Sequence, residues 1–231
     1  MRNVRLSLLL SLVIAACSLG AAQPPLQVGV YRGGLGGGGI TKALAGRADL
    51  KVAPVSRLTL DGLAKVDVLC IGSCGLDRPE DLRALRIFVG MGGGLVLNHG
   101  ACGRGRPATP FPDVAARVTD RREDTTLRVA EASSPLAAGL PAEFEHAYYD
   151  HLLLEPGPKS TVVLRDHAGD AVVVAGEVGA GRVVFNGALP GYAYDAATFA
   201  QGEAPPTGAE LQLVINALQW AGAGRMTTRP Q

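Results

Sequence analysis

The stretch GGGLVLNHGACG, residues 92–103, decides the fold of this chain, together with the segment RPEDLRALRIFVGM that precedes it. In that segment apolar residues recur at roughly helical spacing with charged residues between them, which predicts a helix over residues 79–91. Gly92–Gly94 then ends the helix, because glycine enters left-handed backbone conformations at little cost. Leu95–Leu97 follows as a short apolar strand, which is typical of a parallel sheet covered on both faces.

Strands and helices alternate along the first half of the chain. This alternation predicts an α/β fold with a doubly wound, mostly parallel sheet flanked by helices. The later strands include a pair separated by Gly179-Ala180-Gly181, which predicts a β-hairpin element near the C-terminus. The predicted strands are 26–31, 50–55, 66–71, 95–97, 125–130, 160–165, 171–177 and 182–186, and a closing helix is predicted over residues 208–221.

The N-terminal segment Met1–Ala22 has the composition of an export signal. Basic Arg2 and Arg5 precede the apolar run 6–16, which is too short to span a membrane. Signal peptidase cleavage after Ala22 is one interpretation. We favour a second, in which residues 14–17 form a bacterial lipobox and Cys17 becomes a lipidated N-terminus. The expected location is therefore periplasmic or outer-membrane lipoprotein, with a secreted protein as the alternative.

The rest of the chain is expected to hold one domain. We predict a short tether at residues 23–27, a single α/β domain over 28–224, and a disordered tail at 225–231. Without Arg2 and Arg5 the chain has 20 basic and 21 acidic residues and no basic run, which argues against nucleic acid as a partner.

Three cysteines, Cys70, Cys74 and Cys102, lie beyond the export signal. In an oxidising compartment an odd number of cysteines allows one disulfide and one free thiol. We expect the disulfide to join Cys74 to Cys102, because both follow strands at the same edge of the sheet. The alternative is a cysteine hydrolase that uses Cys102 as its nucleophile, since a thiolate is favoured in the first turn of a helix.

His99 stands where its strand ends, and ligands of open α/β sheets bind at the carboxyl ends of the strands. An imidazole there can be a general base, a metal ligand or a hydrogen-bonding group for sugar hydroxyls. The other interpretation is a histidine that only satisfies backbone groups in the turn.

The segment EHAYYDH, residues 145–151, is the densest polar and aromatic cluster of the chain. Aromatic rings pack on the C–H faces of sugars, and carboxylates accept hydrogen bonds from sugar hydroxyls. Asp150 and His151 could also hold a metal together with His99. The alternative is an ordinary loop whose tyrosines pack against the sheet.

A glycine run, GGLGGGG at residues 33–39, follows the first predicted strand. It satisfies the spacing G-x-G-x-x-G, which in other proteins holds a phosphate on backbone N–H groups. The acidic residue expected at the end of the second strand is missing, because Ser56 and Arg57 stand there. We therefore favour an active-site loop over a nucleotide site.

Three motifs in order resemble the ThuA-like (trehalose utilisation) family, within the class I glutamine-amidotransferase-like superfamily. They are LRALRIFVGMGGGLVLNHGA (82–101), SSPLAAGLPAEFEHAYYD (133–150), and GAGRVVFNGALPG (179–191) followed by LQLVINALQWAG (211–222). The resemblance implies a flavodoxin-like sandwich and a role in carbohydrate metabolism. Of the family's usual histidines only His99 is kept; the glycine run and the region of Gly191 stand where the other two are expected. Glutamine amidotransferases have cysteine at the turn of His99 and a downstream His-x-Glu pair; neither is present, which argues against glutaminase chemistry.

The sequence thus predicts an exported domain that binds or processes a carbohydrate derivative. A non-catalytic structural or interaction domain on the same fold is the alternative, because two family histidines are missing. The predicted partner is a small carbohydrate, the membrane would be reached only through a lipid anchor, and no cofactor or metal site is predicted. The candidate catalytic residues are His99, Asp150 and Cys102, and the candidate substrate-binding residues are Asn98, Glu145, Tyr149, His151 and Asn186.

Overall fold

The computed structural model describes residues 24–226 of the 231-residue chain. Its strands are β1 (Leu26–Tyr31), β2 (Leu50–Val55), β3 (Val68–Ile71), β4 (Gly94–Asn98), β5 (Ala115–Arg122), β6 (Thr126–Val129), β7 (Glu143–Glu145), β8 (His151–Pro156), β9 (Ser160–Asp166), β10 (Ala171–Val178), β11 (Gly181–Asn186), β12 (Tyr192–Tyr194) and β13 (Gln201–Glu203). Its α-helices are α1 (Gly37–Leu44), α2 (Leu60–Leu63), α3 (Pro79–Gly90) and α4 (Gly208–Met226), and a short 3₁₀ turn spans His99–Cys102.

Nine strands form one sheet in the order β2-β1-β3-β4-β11-β10-β9-β6-β7. The first five of these are mutually parallel, and the strands beyond β11 pair antiparallel. The predicted flavodoxin-like α/β class is confirmed. The predicted hairpin is also present, because β10 and β11 pair antiparallel around the glycine-rich turn.

Both faces of the sheet are covered by helices, as the doubly wound prediction requires. Ile40 of α1 and Leu218 of α4 belong to the apolar core on one face. Leu85 and Phe88 of α3, together with Leu63 of α2, belong to the core on the other face. Because β3 and β4 lie between these two layers, every residue of both strands is buried. The carboxyl ends of the parallel strands are therefore held in fixed positions.

Two antiparallel pairs outside the main sheet, β5–β8 and β12–β13, were not predicted. The strand β5 is rich in charged residues, so it lacks the apolar alternation that identifies a strand in sequence. The strand β8 begins at His151, immediately after the polar cluster of residues 145–150. The cluster is therefore the entry to a strand rather than a free loop.

The predicted domain boundaries need two corrections. Leu26 and Gln27 belong to β1 and pair with Leu50 and Lys51 of β2, so they are not part of a tether. The helix α4 continues to Met226, so residues 225 and 226 belong to this helix and not to the tail predicted at 225–231. The export signal and Cys17 lie outside the described residues. Within residues 24–226 no helix is both long and apolar enough to cross a membrane.

Candidate functional site

His99 occupies a strained turn at the end of β4. Its φ angle is 47°, in the left-handed region that non-glycine residues rarely adopt. Such strain persists only where the surrounding structure imposes it, and it is frequent at functional sites. The turn leads from β4 directly into the 3₁₀ turn and projects the imidazole beyond the end of the strand.

Both ring nitrogens of His99 are within hydrogen-bonding distance of a side chain from another element. His99 Nε2 lies 2.9 Å from Asp150 Oδ1, and His99 Nδ1 lies 3.0 Å from Ser73 Oγ. Asp150 precedes β8, and Ser73 follows β3 two residues after its last residue. The strand ends of β3 and β4 and the start of β8 therefore converge on one imidazole.

Protonation states follow from the partners. Burial raises the pKa of Asp150, but the hydrogen bond and charge of His99 and the charge of Arg121 outweigh it, so the pKa lies below its ordinary value. An ionised carboxylate only accepts hydrogen bonds, so His99 Nε2 carries a proton and donates a hydrogen bond to Asp150. When Nε2 carries the only proton of the ring, Nδ1 is an acceptor and the Ser73 hydroxyl donates a hydrogen bond to it.

Arg121 of β5 completes the row of charged groups. Its guanidinium donates to the second carboxylate oxygen of Asp150 at 2.8 Å and lies 3.4 Å from the Tyr149 hydroxyl. Asp150 is 1% exposed, whereas the side chain of Arg121 retains 33% of its exposure. The site thus runs from a buried carboxylate to a rim that solvent reaches through Arg121, Tyr149 and Ser73.

Four tyrosines cover this rim. Tyr148 meets the His99 ring edge-on with centroids 6.0 Å apart, and its ring is 4.5 Å from that of Tyr149. Tyr192 and Tyr194 of β12 extend the cluster, with centroid distances of 5.7 Å to Tyr148 and 4.9 Å to Tyr149. We call these four residues the tyrosine cluster. Tyr148, which contacts His99, is buried, whereas Tyr149, Tyr192 and Tyr194 are partly exposed.

Ser73, like Arg121, is a site residue that was not predicted from the sequence. The only available signal was its position in Gly72-Ser73-Cys74, directly after an apolar strand whose carboxyl end faces the same sheet edge as His99. Ser73 exchanges two backbone hydrogen bonds of 2.9 Å with Leu35, which fixes its backbone. Its hydroxyl oxygen also accepts from Gly100 N at 3.2 Å.

Two predicted substrate-binding residues lie away from this site. His151 follows Asp150 directly, but its ring points into the interior, where Nδ1 lies 3.2 Å from His146 Nε2. The proposed metal set of His99, Asp150 and His151 therefore does not converge, and within residues 24–226 no group of three or more ligand side chains is suited to a metal. Glu145 is exposed on β7, the edge strand of the sheet. The structure therefore argues against both His151 and Glu145 as substrate-binding residues.

Asn98 and Asn186 have structural roles instead of the predicted contact with substrate. Asn186 Nδ2 donates to Asn98 Oδ1 at 3.0 Å, and Asn98 Nδ2 donates to the Ile71 carbonyl at 2.9 Å. Both side chains are buried, and buried amides need such partners. The two residues tie together the ends of β3, β4 and β11.

The expected Cys74–Cys102 disulfide is wrong, because Cys70, Cys74 and Cys102 are all free thiols. Cys102 is completely buried, and its sulfur lies 3.5 Å from the carbonyl oxygens of Leu97 and Asn186. Burial raises the pKa of its thiol far above the ordinary value. A thiol that is neutral and shielded from solvent is unsuited to be a nucleophile, so the structure argues against a cysteine hydrolase.

The glycine run packs tightly against other backbone segments. A Cβ atom at Gly39 would collide with the Gly191 carbonyl oxygen, and one at Gly36 would lie 2.5 Å from that of Pro190. Glu203 of β13 accepts from Gly36 N at 2.8 Å and from Gly39 N at 2.7 Å. Close backbone approach and an internal carboxylate account for the glycines, so the motif needs no nucleotide.

The fold is that of the ThuA-like proteins, as comparison with solved structures shows. A protein named ThuA-like from Bacteroides uniformis matches with a TM-score of 0.65 and 14% identity over 87% of this chain and 93% of its own. One of the same name from Parabacteroides merdae matches with a TM-score of 0.62 and 15% identity, over 89% and 93%. A protein from Thermoplasma acidophilum, named as part of a GMP synthase, gives a TM-score of 0.60 and 11% identity, over 89% and 98%.

No protein-family model matches the sequence, and no curated protein matches it. At identities this low the structural likeness shows the fold alone, because one fold can carry many different chemistries.

Proposed function

We propose that this chain, which has the fold of the ThuA-like and class I glutamine-amidotransferase-like proteins, binds a carbohydrate derivative beside the tyrosine cluster and processes it with His99 as acid and base. The observation that carries the proposal is the aromatic cover of a histidine whose two nitrogens already have opposite roles. Asp150 accepts from one nitrogen, and the other is a base that faces the rim of the site.

Sugar recognition is supported by the chemistry of the rim. Aromatic rings offer faces for the C–H side of a sugar ring, while Arg121 and the Tyr149 hydroxyl offer hydrogen-bonding groups for sugar hydroxyls. Both kinds of group stand within one cluster, and Tyr149 belongs to both. The convergence of His99 with Asp150 speaks against a purely structural domain, for which no such pairing is needed.

The test is direct binding of mono- and disaccharides and their keto derivatives to the purified protein by calorimetry. Tyr149→Ala is expected to weaken binding at least tenfold, whereas Tyr149→Phe retains the ring and most of the affinity. Glu145→Ala, on the exposed edge strand, is the matched control and is expected to bind as the wild type does. Failure of the wild type to bind any of these sugars would overturn the proposal.

We further propose that the chain is exported and anchored through Cys17, on the lipobox-like residues 14–17 alone. Wild type is then expected in the membrane fraction after cell lysis, and Cys17→Ser in the soluble fraction or unprocessed. An unmodified mature N-terminus at Gln23, found by intact-mass analysis, would favour the secreted alternative.

A further inference from the structure

We infer that Ser73 is a nucleophile and that Ser73, His99 and Asp150 form a hydrolytic triad for carboxylic esters. The inference deepens the proposed function. It rests on that function in one respect, namely that the alcohol of the ester is a sugar hydroxyl.

The three side chains form one continuous hydrogen-bonded row. Ser73 Oγ lies 3.0 Å from His99 Nδ1, and His99 Nε2 lies 2.9 Å from Asp150 Oδ1. A nucleophilic hydroxyl, a base within hydrogen-bonding reach and a third group that orients the base are the three parts of such a site. The ring is turned so that Nδ1 faces the serine; either imidazole nitrogen is a base when the other carries the proton.

The surroundings of Ser73 suit a nucleophile better than a purely structural serine. Ser73 is half-buried and therefore reachable, while His99 is 6% exposed and shielded from bulk water. Two backbone hydrogen bonds to Leu35 hold its main chain in place. A hydroxyl whose only role was to cap the turn would need its bond to Gly100 N, but not a histidine and an ionised carboxylate aligned behind it.

A donor for the developing oxyanion is also present. Within residues 24–226 the Cys74 N–H has no hydrogen-bond partner, and this nitrogen lies 3.5 Å from the point where a Cβ of Gly100 would stand. The backbone N–H of the residue after a nucleophile is a common oxyanion donor in hydrolases. Gly100 packs directly against Ser73, because a Cβ at this position would lie only 2.8 Å from Ser73 Oγ.

The reaction balances with water as the only co-reactant. Ser73 Oγ forms a bond to the ester carbonyl carbon while its proton passes to His99 Nδ1. The tetrahedral adduct then breaks the C–O bond to the alcohol, which leaves with the proton from His99. Water, deprotonated by His99, attacks the acyl-serine, and the free acid and Ser73 are released. Asp150 stays ionised and stabilises the imidazolium.

The experiment exposes the full-length protein to a fluorophosphonate and maps the modified peptide by mass spectrometry. We expect one adduct, on Ser73, and a loss of p-nitrophenyl acetate hydrolysis in Ser73→Ala of at least about 10⁴-fold. Ser56→Ala changes an exposed serine that follows β2 and is the matched control, with no change expected. Gly100→Ala would place a Cβ 2.8 Å from Ser73 Oγ and is expected to reduce both reactions by displacing the hydroxyl.

Labelling of wild type requires no variant to fold, so the inference can be overturned directly. If wild-type Ser73 carries no adduct and the ester is not hydrolysed, Ser73 only positions His99. If Ser73 is labelled but no sugar binds, the triad stands and the carbohydrate proposal fails. If sugars bind but Ser73 is not labelled and the ester is not hydrolysed, the carbohydrate proposal stands and the triad fails.

Discussion

His99 lies 2.9 Å from Asp150, whereas the next residue after Asp150, His151, lies 3.6 Å from Asp166 and is completely buried. The two histidine–aspartate pairs thus meet in one short segment and differ in what surrounds them. His99 has a side-chain partner at each nitrogen and faces the tyrosine cluster. His151 stacks edge-on with His146, at a centroid distance of 5.4 Å, in the protein interior.

The electrostatic consequences of the two settings are opposite. Burial, followed by the nearby charge of His151, lowers the pKa of His146 to about 4, and burial also lowers the pKa of His151. Both rings are therefore neutral at pH 7. Next to His99, in contrast, the carboxylate of Asp150 is kept ionised and aligned with a base. A histidine becomes useful for catalysis through its second partner and its access to ligand, not through the aspartate alone.

The largest expected effect comes from breaking the pair at His99. Asp150→Asn keeps the shape of the side chain but no longer fixes the protonated nitrogen of the ring, so fluorophosphonate labelling of Ser73 should slow by about 10⁴-fold. The measurement is the labelling rate by intact mass, with circular dichroism to confirm folding. A folded Asp150→Asn protein that labels at the wild-type rate would show that Asp150 does not orient His99.

Breaking the buried pair should instead cost stability. Asp166 accepts from Arg122 and from the backbone N–H groups of Ala168 and Asp170. Asp166→Asn removes the charge that these donors face, and we expect a loss of about 3 kcal/mol in the free energy of unfolding. Urea denaturation measures this loss, and Ser73 labelling per folded molecule should stay unchanged. A change in labelling without a change in stability would mean that the two pairs are coupled.

His146 should make the protein less stable in acid. Its folded pKa is about 4 against an ordinary 6.5, so the unfolded chain binds the extra proton first as the pH falls. Stability is then lost between pH 6.5 and pH 4, by about 2 kcal/mol from pH 7 to pH 5. His146→Gln should reduce this slope in denaturation curves taken at several pH values. If the stability of the variant depends on pH as that of the wild type does, a group other than His146 is responsible for the loss in acid.

Glu210 of α4 should act in the opposite direction by a similar or smaller amount. Burial raises its pKa to about 7, partly offset by a hydrogen bond from Ala147 N. The folded state keeps this proton to a higher pH than the unfolded chain does. The contribution of Glu210 to the free energy of unfolding therefore falls by about 2 kcal/mol as the pH rises from 5 to 7. Glu210→Gln should therefore gain stability relative to wild type over that range. The His146 and Glu210 variants should show pH slopes of opposite sign.

The fold was predictable because its signals are local. The helix before Gly92 and the apolar strands β1 to β4 can be recognised from periodicity and glycine position, and they fix the parallel half of the sheet. The strand β5 was not predictable, because its charged residues pair with β8 across a long separation in sequence. Arg121, which this strand supplies, was missed for the same reason.

The sequence predicted only those site residues that can be recognised within one short segment. His99 and Asp150 were found because one follows a strand and the other lies in a dense polar cluster. Ser73 and Arg121 are brought to them by tertiary pairing, which no spacing in the sequence shows. His151, Asn98 and Asn186 were chosen for residue type and position, but the direction of each side chain depends on which face of its strand is buried.

The contact of Glu203 with the glycine run has a consequence for competition between ligands. Its two carboxylate oxygens accept from Gly36 N and Gly39 N, which are backbone donors of the kind that bind phosphate in glycine-rich loops. A tethered carboxylate acts at an effective concentration that is typically millimolar or more, so a free anion must exceed that level before it displaces the side chain. The Glu203 carboxylate therefore occupies these backbone donors in place of a free anion. The same two hydrogen bonds hold the hairpin that carries Tyr192 and Tyr194 against α1.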